Sequence, residues 1–338
     1  MGIEIIATGR AIPAKKLTNN DLAGRIDTTD EWIRSHTGIG ARYVADEGVA
    51  ASDLAVEAAQ NTLALAAEKT GLSGEALAQS LDLIILGSTT PDYYGVPSTA
   101  CIVQDKLGAR NAAALDITAA CTGFIYGLEL AAGFLSLDRT RKRALVIGAE
   151  VLSRVADWND RGTAILFGDG AGAVFIERLE PSGRGQRGLL RTVLRADGSG
   201  AESLMIKRGE FRHPYQGGEG AGPLRVEMDG RAVYNFAVKA LTEIIEKLLA
   251  RENITIHDVT RIIPHQANAR IVQAAAKRLN IPESKFFLNI EEYANTSAAS
   301  IPIALDELNR AGELKRGDLI MTIGFGGGLT YGGNLIIW

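Results

Sequence analysis

Short apolar runs alternate along the first half of the chain with segments that carry apolar residues at helical spacing. Buried strands are predicted at residues 82–88, 112–117 and 143–148, each bounded by glycine or polar residues. Helices are predicted at residues 53–69, 98–107 and 122–137. Strands that alternate with helices predict an α/β protein whose largely parallel sheet is covered on both faces.

The second half of the chain repeats this plan. Helices are predicted at residues 233–249, 267–279 and 297–308, and strands at residues 260–263, 286–288 and 318–323. Each half ends in a glycine turn and an apolar strand, at residues 167–176 and 325–337. This likeness predicts an internal duplication, with one half at 1–180 and the other at 181–338. Two segments rich in glycine and polar residues, 181–188 and 198–222, are predicted to be surface loops.

Composition narrows the class of protein. The 338 residues are 46% hydrophobic and 22% charged, as in ordinary globular proteins, and the net charge of −4 argues against a nucleic-acid binder. We expect no membrane partner, because no apolar run reaches the roughly 18 residues that span a bilayer, and the N-terminus does not resemble a secretory signal. Two cysteines form no disulfide framework or metal-ligand cluster, so we expect a cytoplasmic protein without a metal.

Cys121 is a candidate nucleophile. It follows the predicted strand 112–117 and opens a helix, so its thiol is expected at the positive end of a helix dipole, which favours the thiolate. Its small neighbours Ala120 and Gly123 would let a substrate approach the sulfur. The alternative is a buried apolar cysteine, and this is the prediction for Cys101, which lies inside the helix that follows Pro97.

His265 and Asn295 each lie between a predicted strand and a predicted helix, where open α/β folds place their ligands. His265 has the alternative of a structural hydrogen-bonding role, and Asn295 that of a helix N-cap. If the halves are duplicated, Asn295 corresponds in position to Cys121, and the three side chains meet at one end of the two sheets.

A glycine run at residues 326–328 lies between two predicted strands. Its backbone N–H groups are free to point at an oxyanion, as acyl transfer requires. The alternative for this run is a tight turn.

Five motifs together resemble one family. The segments DITAACTGFIYGL, DRGTAILFGDGAGA, PHQANARI, NTSAASIPIALDE and GFGGGLTYG are similar to β-ketoacyl-acyl carrier protein synthase III, the initiating condensing enzyme of type II fatty acid synthesis. The resemblance runs from Ile5 to the C-terminus in the family's order. It implies a thiolase-like fold of five layers, αβαβα, built from two duplicated halves and normally found as a homodimer.

The resemblance also implies a two-step reaction. Cys121 takes an acyl group from acyl-CoA. Malonyl-acyl carrier protein then loses CO2 while His265 and Asn295 donate hydrogen bonds to its thioester carbonyl. The carbanion attacks the acyl-Cys121 carbonyl, whose oxyanion is held by the backbone N–H groups of Cys121 and Gly327. Acyl-CoA and malonyl-carrier protein are substrates, and no cofactor is implied.

Other positions carry implied binding roles. Trp32 and Arg161 match the pair that sandwiches the CoA adenine, and Asn268 matches a contact of the pantetheine arm. The chain departs from the family at His36, where arginine is usual and contacts a CoA phosphate. The helix after His265 matches the docking surface for the acidic carrier protein, at Arg270, Lys277 and Arg278. The alternative for these three charges is a solvated helix face.

Three further departures concern the outer parts of the site. Asn235 replaces a basic residue often used for carrier docking, and the segment 202–223 is longer than usual. In the family, a loop before a Pro-Ser helix start crosses the dimer and closes the partner's acyl pocket, with phenylalanine in acetyl-restricted enzymes where this chain has Val96. Val96 therefore implies that medium or branched primers are accepted, unless Tyr93 or Tyr94 fills the space.

Other functions give weaker agreement with the sequence. Papain-like proteases share the order Cys, His, Asn, but they place the cysteine near the mature N-terminus of a disulfide-bearing secreted chain. A specialised-metabolite ketosynthase or acyltransferase of the same fold would use other acyl or malonyl donors. A non-catalytic partner subunit would not need Cys121, His265 and Asn295 together.

Overall fold

The computed structural model describes residues 2–179, 187–207 and 224–338. The strands are β1 Gly2–Ala11, β2 Lys15–Thr18, β3 Ala41–Val44, β4 Leu83–Gly87, β5 Ala113–Ile117, β6 Arg143–Val151, β7 Asp169–Leu179, β8 Gly188–Ala196, β9 Leu204–Lys207, β10 Arg225–Met228, β11 Arg261–Pro264, β12 Leu319–Gly326 and β13 Thr330–Ile337. The helices are α1 Asn19–Ala23, α2 Asp30–Thr37, α3 Ala51–Thr70, α4 Gly74–Gln79, α5 Thr99–Lys106, α6 Gly123–Leu137, α7 Arg161–Ala164, α8 Gly230–Glu252, α9 Ala269–Leu279, α10 Ile290–Tyr293 and α11 Ser300–Arg310.

Two sheets form the framework, and their strands follow a common plan. The first has the order β1-β7-β6-β4-β5, and the second has the order β8-β13-β12-β11. Within the first, β4 is parallel to β5 and β6, whereas β7 is antiparallel to both of its neighbours. Within the second, only β11 and β12 are parallel. The expectation of a largely parallel sheet is therefore wrong, because the last strand of each half folds back against the strand before it.

Helices cover and separate the two sheets. α3 packs on the outer face of the first sheet, against β1, β6 and β7, while α8 packs on the outer face of the second, against β8, β12 and β13. α6 and α11 lie between the sheets, and the core around them combines buried residues of both. The order is thus helix, sheet, helix, sheet, helix, and the predicted αβαβα fold is confirmed.

Two strand predictions need correction. β5 is predicted to be buried, but it is the edge strand of the first sheet, and Leu115 is 39% exposed. Residues 286–288 form no strand, because only Phe286 pairs with β11, through a single bridge to Ile262. A short 3-10 turn, Glu283–Lys285, directly precedes this bridge and α10 follows it, which leaves little extended chain between them.

One segment is long and apolar enough to cross a membrane, contrary to the sequence expectation. It is Ala120–Leu137, which comprises the turn before α6 and α6 itself. Half of it is buried in the fold, where α6 packs against strands of both sheets. A helix buried in the core of a protein has the same length and apolar composition, and this segment is such a core helix.

The connection between the halves is only partly described. The predicted boundary at 180/181 lies outside the described residues, as do 181–186 of the first predicted loop and 208–222 of the second. The rest of the second loop is not irregular, because Gly198–Ser203 is a 3-10 helix and β9 pairs antiparallel with β10. The long segment 202–223 therefore begins with the end of this 3-10 helix and with β9.

Two strands of the first sheet approach the starts of the central helices at points that only glycine permits. β6 passes so close to the turn Ser297–Ala299, which precedes α11, that a Cβ on Gly148 would lie 2.2 Å from the carbonyl oxygen of Ala298. A Cβ on Gly87 would similarly lie 2.9 Å from the Cα of Gly123, the first residue of α6. These contacts fix where both central helices begin.

We expect Gly148→Ala to lower the free energy of unfolding by at least about 1–3 kcal/mol, because an added methyl overpacks a backbone contact. Gly133→Ala is the matched control, since its Cβ would meet nothing within 4 Å and the residue lies on an exposed part of α6. In a helix interior this change should stabilise by about 0.5–1 kcal/mol. Urea denaturation measures both, and equal midpoints for the two variants would contradict the contact.

Candidate active site

Cys121 lies in a short 3-10 turn, Ala120–Thr122, between β5 and α6. It is 9% exposed. The preceding Ala120 has a φ of +44°, a left-handed conformation that costs an L-residue roughly 1–2 kcal/mol and needs support from its surroundings. The end of β12 closes on this turn, because a Cβ on Gly326 would lie 2.9 Å from the Cβ of Cys121 and 3.2 Å from its sulfur.

Two cavities meet at Cys121. The first, of about 180 Å³, is lined by Cys121 together with His265, Asn295 and Asn268. The second, of about 340 Å³, is lined mostly by apolar residues and also by Ser297 and Gly327. The structure thus brings Cys121, His265 and Asn295 together around one cavity, as the sequence predicts. Three residues line both cavities: Cys121, Phe167 and Leu204.

His265 follows β11 and is buried, at 1% exposure. Its Nδ1 lies 2.7 Å from Ser300 Oγ, which also lies 2.8 Å from the carbonyl oxygen of Ser297. The Ser300 hydroxyl has one proton and can donate it to either group. When it donates to Nδ1, the proton of the neutral imidazole lies on Nε2, and that nitrogen is then a hydrogen-bond donor. Burial lowers the pKa of His265 to about 3, so the ring is neutral at physiological pH.

Asn295 is held by the chain that follows α7. Its backbone N–H donates to Leu166 O at 2.9 Å, and its carbonyl accepts from Gly168 N at 3.0 Å. Its side-chain oxygen accepts from the Ser297 N–H at 2.8 Å, which leaves the amide nitrogen for another partner. The N-cap of α11 is Ala299, so Asn295 orders the turn before this helix and does not cap the helix itself.

Burial sets the protonation of Cys121 as well. It raises the pKa of the thiol to about 12, and the Ser297 hydroxyl offsets only part of this effect. The expectation that the helix N-terminus produces a thiolate is therefore wrong for the resting site, because desolvation outweighs it. Cys121 and His265 form a neutral pair.

Gly327 belongs to the tight turn between β12 and β13, so the turn interpretation of this glycine run is correct as a description of the backbone. The turn lies beside the sulfur, since Gly327 and Gly328 line the second cavity with Cys121. A Cβ on Gly327 would lie 3.2 Å from the carbonyl oxygen of Leu204, which leaves little room for a larger residue.

Trp32 and Arg161 are in direct contact. The guanidinium carbon of Arg161 lies 4.5 Å from the Trp32 ring, and the His36 ring stacks on the same indole at 4.2 Å. A purine between two flat groups needs about 7 Å, twice the usual contact distance. The predicted adenine sandwich is therefore closed here, and Arg161 must swing away to admit a base.

Asn268 connects this region with the first cavity. Its Nδ2 donates to His36 O at 3.1 Å, and its Oδ1 accepts from Arg270 N at 2.9 Å as the N-cap of α9. α9 buries its apolar face and exposes its basic one. The three predicted docking residues are exposed on α9: Arg270, Lys277 and Arg278.

Val96 and Tyr94, which precede α5, and Cys101 within it differ in their exposure to solvent. Val96 is 88% exposed, whereas Tyr94 lines the second cavity beside Cys121. Cys101 is exposed, contrary to the prediction of a buried core residue. α5 buries Ala100 and Val103, and Cys101 faces outward next to the edge strand β5, where its sulfur lies 3.8 Å from Ala114 O.

Sequence reasoning missed Glu150, a carboxylate buried on β6 at 0% exposure. It accepts hydrogen bonds from the backbone and hydroxyl groups of Thr89 and Thr90, at 2.8–3.2 Å, and from the N–H of Ala298 at 3.5 Å. Burial raises its pKa, and the hydrogen bonds oppose this shift. The available signal was a lone acidic residue within the apolar run 144–152.

Within residues 2–179, 187–207 and 224–338, no group of three or more His, Cys, Asp or Glu side chains could hold a metal ion. Five alternating layers, with Cys121 at the start of a central helix and His265 and Asn295 facing it, define a condensing enzyme of the thiolase fold, which is an acyltransferase.

Comparison with known proteins identifies the family. The family model for 3-oxoacyl-[acyl-carrier-protein] synthase III matches residues 115–198, and the model for its C-terminal part matches residues 249–338. The chain is 44% identical to β-ketoacyl-[acyl-carrier-protein] synthase III of Clostridium acetobutylicum, over 99% of this chain and 98% of that protein. It is 47% identical to the enzyme of that name from Clostridium perfringens strain SM101, over 98% of each chain.

A solved structure agrees with this. The crystal structure of 3-oxoacyl-[acyl-carrier-protein] synthase III from Aquifex aeolicus VF5 matches with a TM-score of 0.88, at 43% identity and over the whole of both chains. The chain therefore belongs to the β-ketoacyl-acyl carrier protein synthase III family. The alternative of a specialised-metabolite enzyme is not favoured, and a papain-like protease is excluded by the fold.

The neutral His265 predicts a particular pH dependence of stability. Its pKa is about 3 in the folded chain and 6.5 ordinarily, so the unfolded chain binds an extra proton between these values. The free energy of unfolding should therefore fall as the pH is lowered below 6.5, by about 2 kcal/mol between pH 7 and pH 5 from this residue. Denaturation of wild type and His265→Asn at both pH values measures this contribution. Equal losses in the two proteins would contradict a neutral buried imidazole.

Proposed function

We propose that this enzyme starts fatty acid synthesis by transferring the acyl group of an acyl-CoA to Cys121 and extending it with malonyl-acyl carrier protein. The observation that carries this proposal is the position of Cys121 between two cavities. The first cavity is lined by the polar groups of His265 and Asn295, and the second, at about 340 Å³, lies in the range of ligand sites. The rest of both linings is mostly apolar. A thioester on the sulfur can thus place its chain in one cavity while the second substrate enters the other.

In the first step, the Cys121 sulfur attacks the thioester carbonyl of acyl-CoA. The bond between that carbon and the CoA sulfur breaks, and CoA leaves with the proton of the Cys121 thiol. The backbone N–H groups of Cys121 and Gly327 hold the oxyanion of the tetrahedral intermediate.

In the second step, malonyl-carrier protein loses CO2, and the electron pair of the broken bond forms an enolate. His265 Nε2 and the Asn295 amide donate hydrogen bonds to the enolate oxygen, and a neutral His265 can do so with its proton on Nε2. The enolate carbon then attacks the acyl-Cys121 carbonyl. The bond to sulfur breaks, the Cys121 thiolate takes up a proton from water, and 3-oxoacyl-carrier protein is released.

A homodimer is part of this proposal. β5 is an edge strand that pairs with β4 alone among the described strands, and an unpaired edge usually needs cover. Apolar side chains are exposed along the same side, with Leu115 at 39% and Val96 at 88%. A second copy that paired with this edge would cover both and would bring Val96 toward the partner's acyl cavity.

The carrier protein and the location of the enzyme complete the proposal. An acidic carrier protein would dock on the exposed basic face of α9, whose N-cap Asn268 lines the cavity that leads to Cys121. Trp32 and Arg161 would hold the adenine of acyl-CoA. Two free cysteines are compatible with the reducing cytoplasm.

The first functional prediction separates the two steps. His265→Ala and Asn295→Ala should still form acyl-Cys121, because the two side chains line the first cavity, whereas the acyl chain is proposed to occupy the second. Both should lose decarboxylation of malonyl-carrier protein by about 10²–10³-fold, the usual effect of removing one preorganised donor. Intact-mass spectrometry measures the acyl-enzyme, and CO2 release measures decarboxylation.

The controls for this experiment are Cys121→Ala, which should form no acyl-enzyme, and Cys101→Ser, which should form it normally. If His265→Ala and Asn295→Ala fail to acylate but decarboxylate normally, the assigned roles are reversed. If Cys121→Ala still acquires the acyl group, the nucleophile lies elsewhere.

The second functional prediction concerns the primer. Val96 is smaller than phenylalanine, and each CH2 that a longer chain buries in its place contributes about 0.8 kcal/mol. We expect wild type to use butyryl- and octanoyl-CoA, and Val96→Phe to shift kcat/KM toward acetyl-CoA by tenfold or more. Tyr94→Ala is the comparison, because Tyr94 already lines the cavity. A strong acetyl preference in wild type that only Tyr94→Ala relaxes would assign the closure of the pocket to Tyr94.

A further inference from the structure

We propose that Ser297 is a further catalytic residue of the acylation step, in which its hydroxyl donates a hydrogen bond to the Cys121 sulfur as the thiolate forms. This inference rests on the proposed function, because it assigns a role within the first of the two steps.

The position of Ser297 supports this role. The turn Ser297–Ala299 packs against the turn Ala120–Thr122, and both Ser297 and Cys121 line the second cavity. Ser297 is 2% exposed and has a φ of +47°, so its surroundings hold it in an unfavourable conformation. Within the described part of the chain, its Oγ is buried and has no partner in full hydrogen-bond geometry. A buried hydroxyl without a partner is costly, and the turn that packs against it carries Cys121.

Glu150 leaves the Ser297 hydroxyl free for the sulfur. Burial dominates the pKa of both Cys121 and Glu150 and raises it, and the Ser297 hydroxyl acts in the opposite direction on both. This single proton can serve only one of the two groups at a time. The carboxylate already accepts hydrogen bonds from Thr89 and Thr90, whereas the sulfur loses its own proton as it attacks. The charge that develops on sulfur therefore draws the hydroxyl.

The assignment divides the polar groups between the two steps. Ser297 lines the cavity for the acyl chain, whereas His265 and Asn295 line the other cavity. Ser300 lies one helical turn away and contacts His265 Nδ1. Two buried hydroxyls, three residues apart, are thus connected to different reacting groups, which provides a matched pair for the test.

The test uses the full-length enzyme with Cys101→Ser, so that Cys121 is the sole thiol. The rate of acylation by acyl-CoA is measured from pH 6 to pH 10 by intact mass. Condensation is then measured in a single turnover, from isolated acyl-enzyme mixed with malonyl-carrier protein. Because the Cys121 thiol has a pKa of about 12, the acylation rate of the parent should rise with pH across this whole range. Ser297→Ala should lower that rate by roughly ten- to a hundredfold at each pH, the contribution of one hydrogen bond to an ion. The release of CO2 in that single turnover should match that of the parent, because decarboxylation precedes the departure of the Cys121 sulfur as a leaving group.

Ser300→Ala should give the opposite result, with the parent's acylation profile and slower release of CO2 in the single turnover. Ser297→Gly also removes the hydroxyl and suits a left-handed backbone, so it provides the same test if Ser297→Ala does not fold. An unchanged acylation profile in either Ser297 variant overturns the assignment, as do equal losses in both steps for the Ser297 and Ser300 variants. A parent enzyme that takes no acyl group overturns the proposed function itself, which separates the two failures.

Discussion

The site depends on the close contact between the starts of the two central helices. Both helices are enclosed by the two sheets, so their first turns can meet only where the neighbouring strands carry no side chain. Gly87 and Gly148 supply these openings, and at both positions a Cβ would lie within 3 Å of backbone from the opposing turn. Cys121 and Asn295 belong to different halves of the chain, and this contact fixes their separation. Reactive groups are thereby positioned by core packing, which is more rigid than a surface loop.

Burial at this contact also determines the electrostatics. Cys121 and His265 are both desolvated, so the resting site carries neither a thiolate nor an imidazolium. A charge that develops during reaction cannot be stabilised by bulk water and must be stabilised by fixed donors. In the proposed mechanism, the N–H groups of Cys121 and Gly327, the Asn295 amide and the Ser297 hydroxyl are such donors. In a dry site they act more strongly than they would at the surface.

Helical spacing and apolar runs predicted the alternation of elements. The five layers were implied by motifs that resemble a known family, and the group formed by Cys121, His265 and Asn295 was predicted from those motifs together with the duplication of the two halves. The sequence could not predict properties that depend on neighbours distant in the chain. The exposure of Cys101 and Leu115 follows from the position of β5 at the sheet edge, which local pattern does not encode. The raised pKa of Cys121 follows from enclosure by residues more than a hundred positions away, and it outweighs the local effect of the helix N-terminus.

The Arg161 guanidinium lies on the face of Trp32 that the CoA adenine is proposed to occupy, so it competes with this ligand. In the proposed cycle, a CoA adenine must displace the guanidinium, at a cost of about 0.5–1 kcal/mol for an exposed cation–π pair. The guanidinium returns to Trp32 when free CoA dissociates, which favours the release of this product. A pantetheine arm delivered on a protein carries no adenine, so the second substrate meets no such competition. The contact thus lowers the affinity for thioesters that carry an adenine and leaves the carrier-bound substrate unaffected.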